Sequence, residues 1–91
     1  MPTQVTWFVY LLRCSDDSIY TGISNDVETR VEKHNLGRGA VFTLGRRPVT
    51  LIYKEEHPDQ SSAMRRERQI KSWGRKRKEK LILGFLRHRS G

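Results

Sequence analysis

Five side chains in this 91-residue sequence are placed where they could do chemistry: Tyr10, Tyr20, Arg30, His34 and Glu67. Tyr10 ends the triplet Phe8-Val9-Tyr10, and Tyr20 opens Tyr20-Thr21-Gly22 after a polar stretch. Two phenols on neighbouring strands can cooperate only if they leave the sheet on the same side, and side chains alternate sides along a strand. The turn length therefore decides. A two-residue turn at Asp16-Asp17 pairs Arg13 with Tyr20 and sends the phenols to opposite faces. An odd-numbered turn over Ser15-Asp16-Asp17 pairs Leu12 with Tyr20 and Tyr10 with Gly22, which makes the phenols diagonal neighbours and leaves space beside Tyr10. The competing reading is that both rings merely pack on the sheet.

Arg30 and His34 follow Val27 and Val31 at helical offsets, so two polar residues fall on or beside an inward-facing stripe. An arginine turned toward a sheet must meet an anion, either a carboxylate or a bound phosphate. Glu55 or Glu56 could supply the carboxylate, which would make Arg30 a structural ion pair and His34 an ordinary half-buried histidine. Glu67 lies three or four positions from Ala63, Met64, Ile70 and Lys71, on or beside a packed face and amid Arg65, Arg66 and Arg68. As a surface residue it would pair with Lys71 at i, i+4.

The elements that must hold these groups can be read around them. Val5 to Leu12 is rich in β-branched and aromatic residues, Ser15 to Ser18 has turn chemistry, and Ile19-Tyr20-Thr21 resumes the strand pattern. A helix of about three turns follows, with cap candidates in Ser24-Asn25-Asp26 and Gly37 as its C′ residue. Residues 37–48 read as an irregular, glycine-bearing connection ending in Arg46-Arg47-Pro48, able to follow a phosphate backbone but lacking Walker A spacing. Val49 to Tyr53 forms a third strand. A second helix is expected from about Ser62 to Trp73, with Ala63, Met64, Ile70 and Trp73 as its apolar stripe. After Gly74 a third helix begins with Arg75-Lys76-Arg77-Lys78 and docks through Leu81, Ile82, Phe85 and Leu86.

Composition narrows the function classes. The chain is expected to be one domain over 1–91. No apolar run reaches membrane-helix length and no secretory signal is evident, so a cytoplasmic protein without a membrane partner is expected, a monomer by default. A single cysteine, Cys14, excludes an internal disulfide and a multi-cysteine zinc site; it reads as a small buried hydrophobe. The formal charge is +8, but residues 1–60 hold 7 Lys+Arg and 8 Asp+Glu whereas 61–91 hold 11 and 2. That asymmetry points to a polyanionic partner, nucleic acid first, through Arg65, Arg66, Arg68, Lys71 and the Arg75–Lys78 run. A solvated face that only solubilises is the alternative.

Taken in order, Tyr10, Tyr20 with Gly22, Arg30, His34 and Glu67 across a β-β-α-β-α-α pattern resemble the GIY-YIG nuclease family over nearly the whole chain. Further landmarks are Tyr20-Thr21-Gly22-Ile23, His34-Asn35, Arg46-Arg47-Pro48-Val49 and Glu67 with Ile70-Lys71. The likeness is closest to the small stand-alone bacterial members. Phe8 stands where the first family triplet has glycine, and no Asn or Asp follows Glu67 as in some relatives. The resemblance implies an α+β fold, a small three-stranded antiparallel sheet flanked by about three helices. It also implies metal-dependent phosphodiester hydrolysis, on DNA ahead of RNA, in repair or recombination. Tyr10 would orient or deprotonate the attacking water and Tyr20 would position water or phosphate. Arg30 would grip the scissile phosphate and His34 would hydrogen-bond near Tyr10 or move protons. Glu67 would be the sole protein carboxylate on one Mg²⁺ or Mn²⁺ ion. Gly22, Arg46, Arg47 and the basic residues named above would contact nucleic acid. A non-catalytic nucleic-acid-binding module on the same fold, or a basic ribosome-associated protein, are the other readings.

Overall fold

The computed structural model of the protein describes residues 5–90. A three-stranded antiparallel sheet lies between helices on both faces, in the order β1 (Trp7–Arg13), β2 (Ile19–Ser24), α1 (Val27–Asn35), α2 (Val41–Leu44), β3 (Thr50–His57), α3 (Gln60–Lys71) and α4 (Arg75–Ser90). The strand order is β2-β1-β3, so β1 is central. Alternation along β1 divides the interior in two. Val9 and Leu11 pack with Tyr53 of β3, Ala63 and Ile70 of α3 and Ile82 of α4, whereas Tyr10 and Leu12 pack with Cys14, Val27 of α1 and Val49. Burying Val9, Leu11 and Leu12 completely contributes roughly 1.5–3 kcal/mol each, which anchors β1 and with it Tyr10.

The hairpin between β1 and β2 takes the odd-numbered turn. Leu12 pairs with Tyr20 and Tyr10 with Gly22, and the Cys14 amide closes the loop onto the Ser18 carbonyl at 2.9 Å. Asp17 adopts φ 70° to complete the three-residue turn, a left-handed conformation that aspartate tolerates. The Asp16 carboxylate accepts from the Ser18 amide and hydroxyl.

Local signals explain α1. Asp26 is the N-cap, accepting from the Thr29 amide, and Leu36 caps the other end. Gly37 follows at φ 79°, with its amide on the His34 carbonyl and the Arg38 amide on the Lys33 carbonyl, a Schellman closure. Asn35 then clamps the next strand: its side-chain amide donates to the Val49 carbonyl at 3.1 Å and its oxygen accepts from the Val49 amide at 2.7 Å.

Four expectations need correction. The connection after Gly37 is not wholly irregular, because residues Val41–Leu44 form the short helix α2. The third strand runs to His57 rather than Tyr53, since the polar segment Lys54 to His57 keeps pairing with β1. The second helix starts at Gln60, because Asp59 is its N-cap and accepts from the Ser62 amide, and ends at Lys71. Met64 and Leu86 point outward instead of joining the core. Cys14 is buried and free, as expected.

Candidate active site

The register of the hairpin brings Tyr10 and Tyr20 onto one face, with ring centroids 6.3 Å apart. Gly22 makes this possible: a Cβ there would stand 2.7 Å from the Tyr10 hydroxyl and 2.9 Å from the Tyr20 ring, so any larger residue would push the phenols apart. The space expected beside Tyr10 is thus filled by the two phenols themselves. Tyr10 is 1% exposed, while Tyr20 is half-buried between it and solvent.

His34 arrives from the last turn of α1 and is fully buried. Its Nε2 lies 2.9 Å from the Tyr10 hydroxyl and its Nδ1 lies 2.8 Å from the Thr43 hydroxyl, which in turn donates to the Ala40 carbonyl at 3.0 Å. The ring sits edge-on to both phenols, 5.0 Å from the Tyr20 centroid and 6.0 Å from that of Tyr10. Gly39 presses against the imidazole so closely that a side chain there would collide with it. Burial, reinforced by the neighbouring Arg30 charge, pulls the His34 pKa below its ordinary 6.5, so the ring is neutral at physiological pH.

Arg30 is not the structural ion pair that the sequence left open. Glu55 is engaged by Arg66 and His57. Among the described residues Arg30 has no ion-pair partner, and its buried Nε has no hydrogen-bond partner. The guanidinium faces Tyr10 closely enough to act on it: burial and then Tyr20 push the Tyr10 pKa up to about 12, against the opposing pull of Arg30. Arg30 also forms the wall between two open notches, one of about 270 Å³ reaching Lys33 and one of about 340 Å³ reaching Trp7 and Gln60. A cation held in place without its anion beside an open notch is suited to receive one.

Glu67 comes from α3, which packs on the opposite face of the sheet against β1 and β2. Its charge nevertheless reaches Tyr10, adding to the upward pressure on that phenol. The carboxylate pairs with Lys71 at 3.3 Å and is only 21% exposed. Among the described residues no group of three or more His, Cys, Asp or Glu is gathered as a metal cage. A single hard carboxylate suits Mg²⁺ or Mn²⁺ if waters and substrate phosphate fill the remaining positions, and Lys71 occupies the carboxylate meanwhile.

The basic candidates divide. Arg66 is held by Glu55 and Gln69, Arg75 by Asp17 and Glu79, and Arg65 by Ser61. Arg46 binds Asp16 and lies 4.1 Å over the Phe42 ring, while Arg47 is tied to the carbonyls of Leu44 and Asn35. Arg77 stacks 4.2 Å over Trp73. Arg68, Lys76 and Lys78 have no ion-pair partner among the described residues. Sequence reasoning missed Thr43 altogether. Its only sequence signal is a threonine following His34 within a connection that held no recognisable helix.

The comparisons with known proteins bear on the family and the fold. The family description "GIY-YIG catalytic domain" matches residues 6–80. A UPF0213 protein of Staphylococcus aureus (strain Mu3 / ATCC 700698) is 52% identical over 75 residues, which cover 82% of this chain and 92% of that protein. The solution NMR structure of the UPF0213 protein BH0048 from Bacillus halodurans is 42% identical, with a TM-score of 0.55 over 85% of this chain and 82% of that one. That of the protein EF2693 from E. faecalis is 36% identical, with a TM-score of 0.61 over 93% and 91%. Sequence order, sheet register and the gathered tyrosines all lead to the same assignment: the chain belongs to the GIY-YIG family.

Proposed function

We propose that this protein is a metal-dependent nuclease that hydrolyses phosphodiester bonds, DNA ahead of RNA, in the cytoplasm. The observation that carries the reading is Arg30, a half-buried guanidinium with an unpartnered Nε, set beside Tyr10 and walling two open notches. A phosphodiester entering there meets a planar donor that can bind two of its oxygens and balance the charge that grows as water attacks. Tyr10, backed by His34, accepts a hydrogen bond from the attacking water and orients it; Tyr20, nearer solvent, positions the phosphate. With Mg²⁺ or Mn²⁺ held by Glu67, the ion would neutralise phosphate charge as a Lewis acid.

The test is cleavage of single-stranded, duplex and branched DNA, and of RNA, with Mg²⁺ or Mn²⁺, by the natural protein and by Glu67→Gln. The variant keeps the side chain's size, so stability should change by only ~0.3–0.5 kcal/mol as the Lys71 pair is lost. Cleavage should fall about 10²-fold or more, because metal stabilisation of the transition state is worth several kcal/mol. Binding without metal should hold or tighten. Metal-dependent cleavage that survives Glu67→Gln refutes the assignment of Glu67. One observation favours a second reading, a binding module without catalysis: Glu67 is already neutralised by Lys71. Nucleic-acid binding with no cleavage of any substrate by the natural protein would select it.

A further inference from the structure

We propose that Thr43 is a positioning residue that locks His34 in its Nδ1–H tautomer, leaving Nε2 as a bare acceptor for the Tyr10 hydroxyl proton. The argument is an accounting of protons along the chain Tyr10–His34–Thr43–Ala40. The Thr43 hydroxyl has one proton, and the Ala40 carbonyl, 3.0 Å away, can only accept it. Thr43 must then accept from His34, which places a proton on Nδ1 across the 2.8 Å contact. The other end gives the same answer. Arg30, facing the Tyr10 hydroxyl, is a donor only, so the phenolic proton needs an acceptor, and Nε2 stands 2.9 Å away. One contact opposes this assignment: the Ala40 amide points at Nδ1, but from 3.5 Å, at the outer limit of a hydrogen bond and weaker than the two contacts it competes with.

The proposal rests on the nuclease reading for its consequence but not for its geometry. With Nε2 bare, Tyr10 turns its proton inward and its lone pairs toward Arg30 and the attacking water. As the attacking water loses a proton to the Tyr10 oxygen, the original phenolic proton passes to Nε2. The hydroxide forms its bond to phosphorus and the bond to the leaving oxygen breaks with its electron pair; the departing alkoxide takes a proton from solvent water, and the imidazolium returns its proton through Tyr10 to solvent, so no net proton stays on the protein. Tyr10 never becomes a phenolate, which burial makes costly. The groups facing the imidazole are Tyr10 from β1, Tyr20 from β2, Arg30 from its own helix and Thr43 from α2. The opposite tautomer would donate into Tyr10, duplicating Arg30 and pointing the phenolic proton at the substrate.

The test has a readout independent of activity. In protein labelled with ¹⁵N-histidine, with the His34 signals identified by their loss in His34→Gln, Nδ1 should give the protonated signal and Nε2 the unprotonated one. Thr43→Val, which removes the acceptor while keeping the shape, should shift the balance toward Nε2–H and lower kcat about 10²-fold with little change in KM. Thr43→Ser should restore both. A protonated Nε2 in the natural protein overturns the proposal, and this reading needs no variant to fold. An unchanged tautomer in a folded Thr43→Val also overturns it. The expected tautomer in a protein that cleaves nothing supports Thr43's role and removes the nuclease reading instead.

Discussion

Two clusters in this molecule are built from nearly the same parts and differ in one respect. On one face Tyr10, His34 and Arg30 meet; on the other Tyr53, His57 and Arg66 meet around Glu55. In the second cluster the carboxylate accepts from Tyr53, contacts His57 at 2.6 Å and holds Arg66 at 2.9 Å. The Arg66 charge there has its opposite. In the first cluster the hydrogen bonds run between neutral groups, and Arg30 has no counter-ion among the described residues. Burial raises both tyrosines, yet only Tyr10 sits where the missing anion would bind. The comparison teaches that a satisfied arginine marks a structural joint, whereas an unsatisfied one marks a place for a ligand.

The sharpest way to break that comparison is to remove each arginine in turn. Arg30→Ala should lower cleavage by about 10³-fold, the scale of losing a charged group that stabilises a transferring phosphoryl, while leaving the melting temperature unchanged or raised. Arg66→Ala should do the reverse, leaving cleavage within a few-fold and costing about 1–3 kcal/mol, since half-buried Glu55 then loses its arginine and keeps only Tyr53 and His57. Chemical denaturation and a cleavage assay on the same two variants read both effects. Equal stability losses with equal activity losses would erase the distinction.

The pH dependence of stability separates the clusters more gently. His34 has a folded pKa below 6.5, so the unfolded chain binds the extra proton first, and this group withdraws stability as pH falls below about 6.5. Glu55 behaves as a paired carboxylate. Burial works to raise its pKa, but the hydrogen bonds from Tyr53, His57 and Arg66 outweigh that and hold it below 4.5. Its stabilisation is complete above that value and is lost as pH falls through the folded pKa, where Glu79 adds to the same limb. Melting temperatures from pH 8 to 3 should fall in two stages. His34→Gln should flatten the first stage, and Glu55→Gln the second.

The smallest effect concerns the basic surface. Neutralising Lys76 and Lys78, which have no ion-pair partner among the described residues, should flatten the slope of log affinity against log salt by roughly 0.7–0.9 for each phosphate they no longer neutralise. Neutralising Arg66, already paired, should leave that slope unchanged.

The parts of the fold that were legible in the sequence are those set by short-range rules. The odd turn over Ser15 to Asp17, the Asp26 cap and the Gly37 closure are each local, and together they fix Tyr10, Tyr20 and His34. The inward direction of Arg30 and His34 followed from their spacing to Val27 and Val31. The paths taken by Lys54 to His57 and by Val41 to Leu44 were not legible. The first segment reads as polar and loop-like because the partner that satisfies Glu55, Arg66, lies 11 residues later on another element. The second has no side-chain N-cap, and Val41 is 89% exposed, so neither capping nor hydrophobic periodicity announces a helix. Thr43 was hidden for the same reason, since its importance lies in what it touches.

The three-residue turn at Ser15-Asp16-Asp17 also has a consequence for how this sequence can change over generations. Pairing Ser15 with Ser18 instead, across the two residues Asp16-Asp17, would advance the register by one and carry Tyr20 to the other face of the sheet, away from Tyr10, with every side chain of β2 following it. A register slip of two would preserve the facing. The turn is exposed and touches no substrate in the proposed mechanism, yet Asp16, through Ser18 and Arg46, and Asp17, at its left-handed φ and through Arg13 and Arg75, hold it in shape. What the site depends on is the register that sets Cys14 against Ser18, because losing it would separate the tyrosines as surely as losing either one.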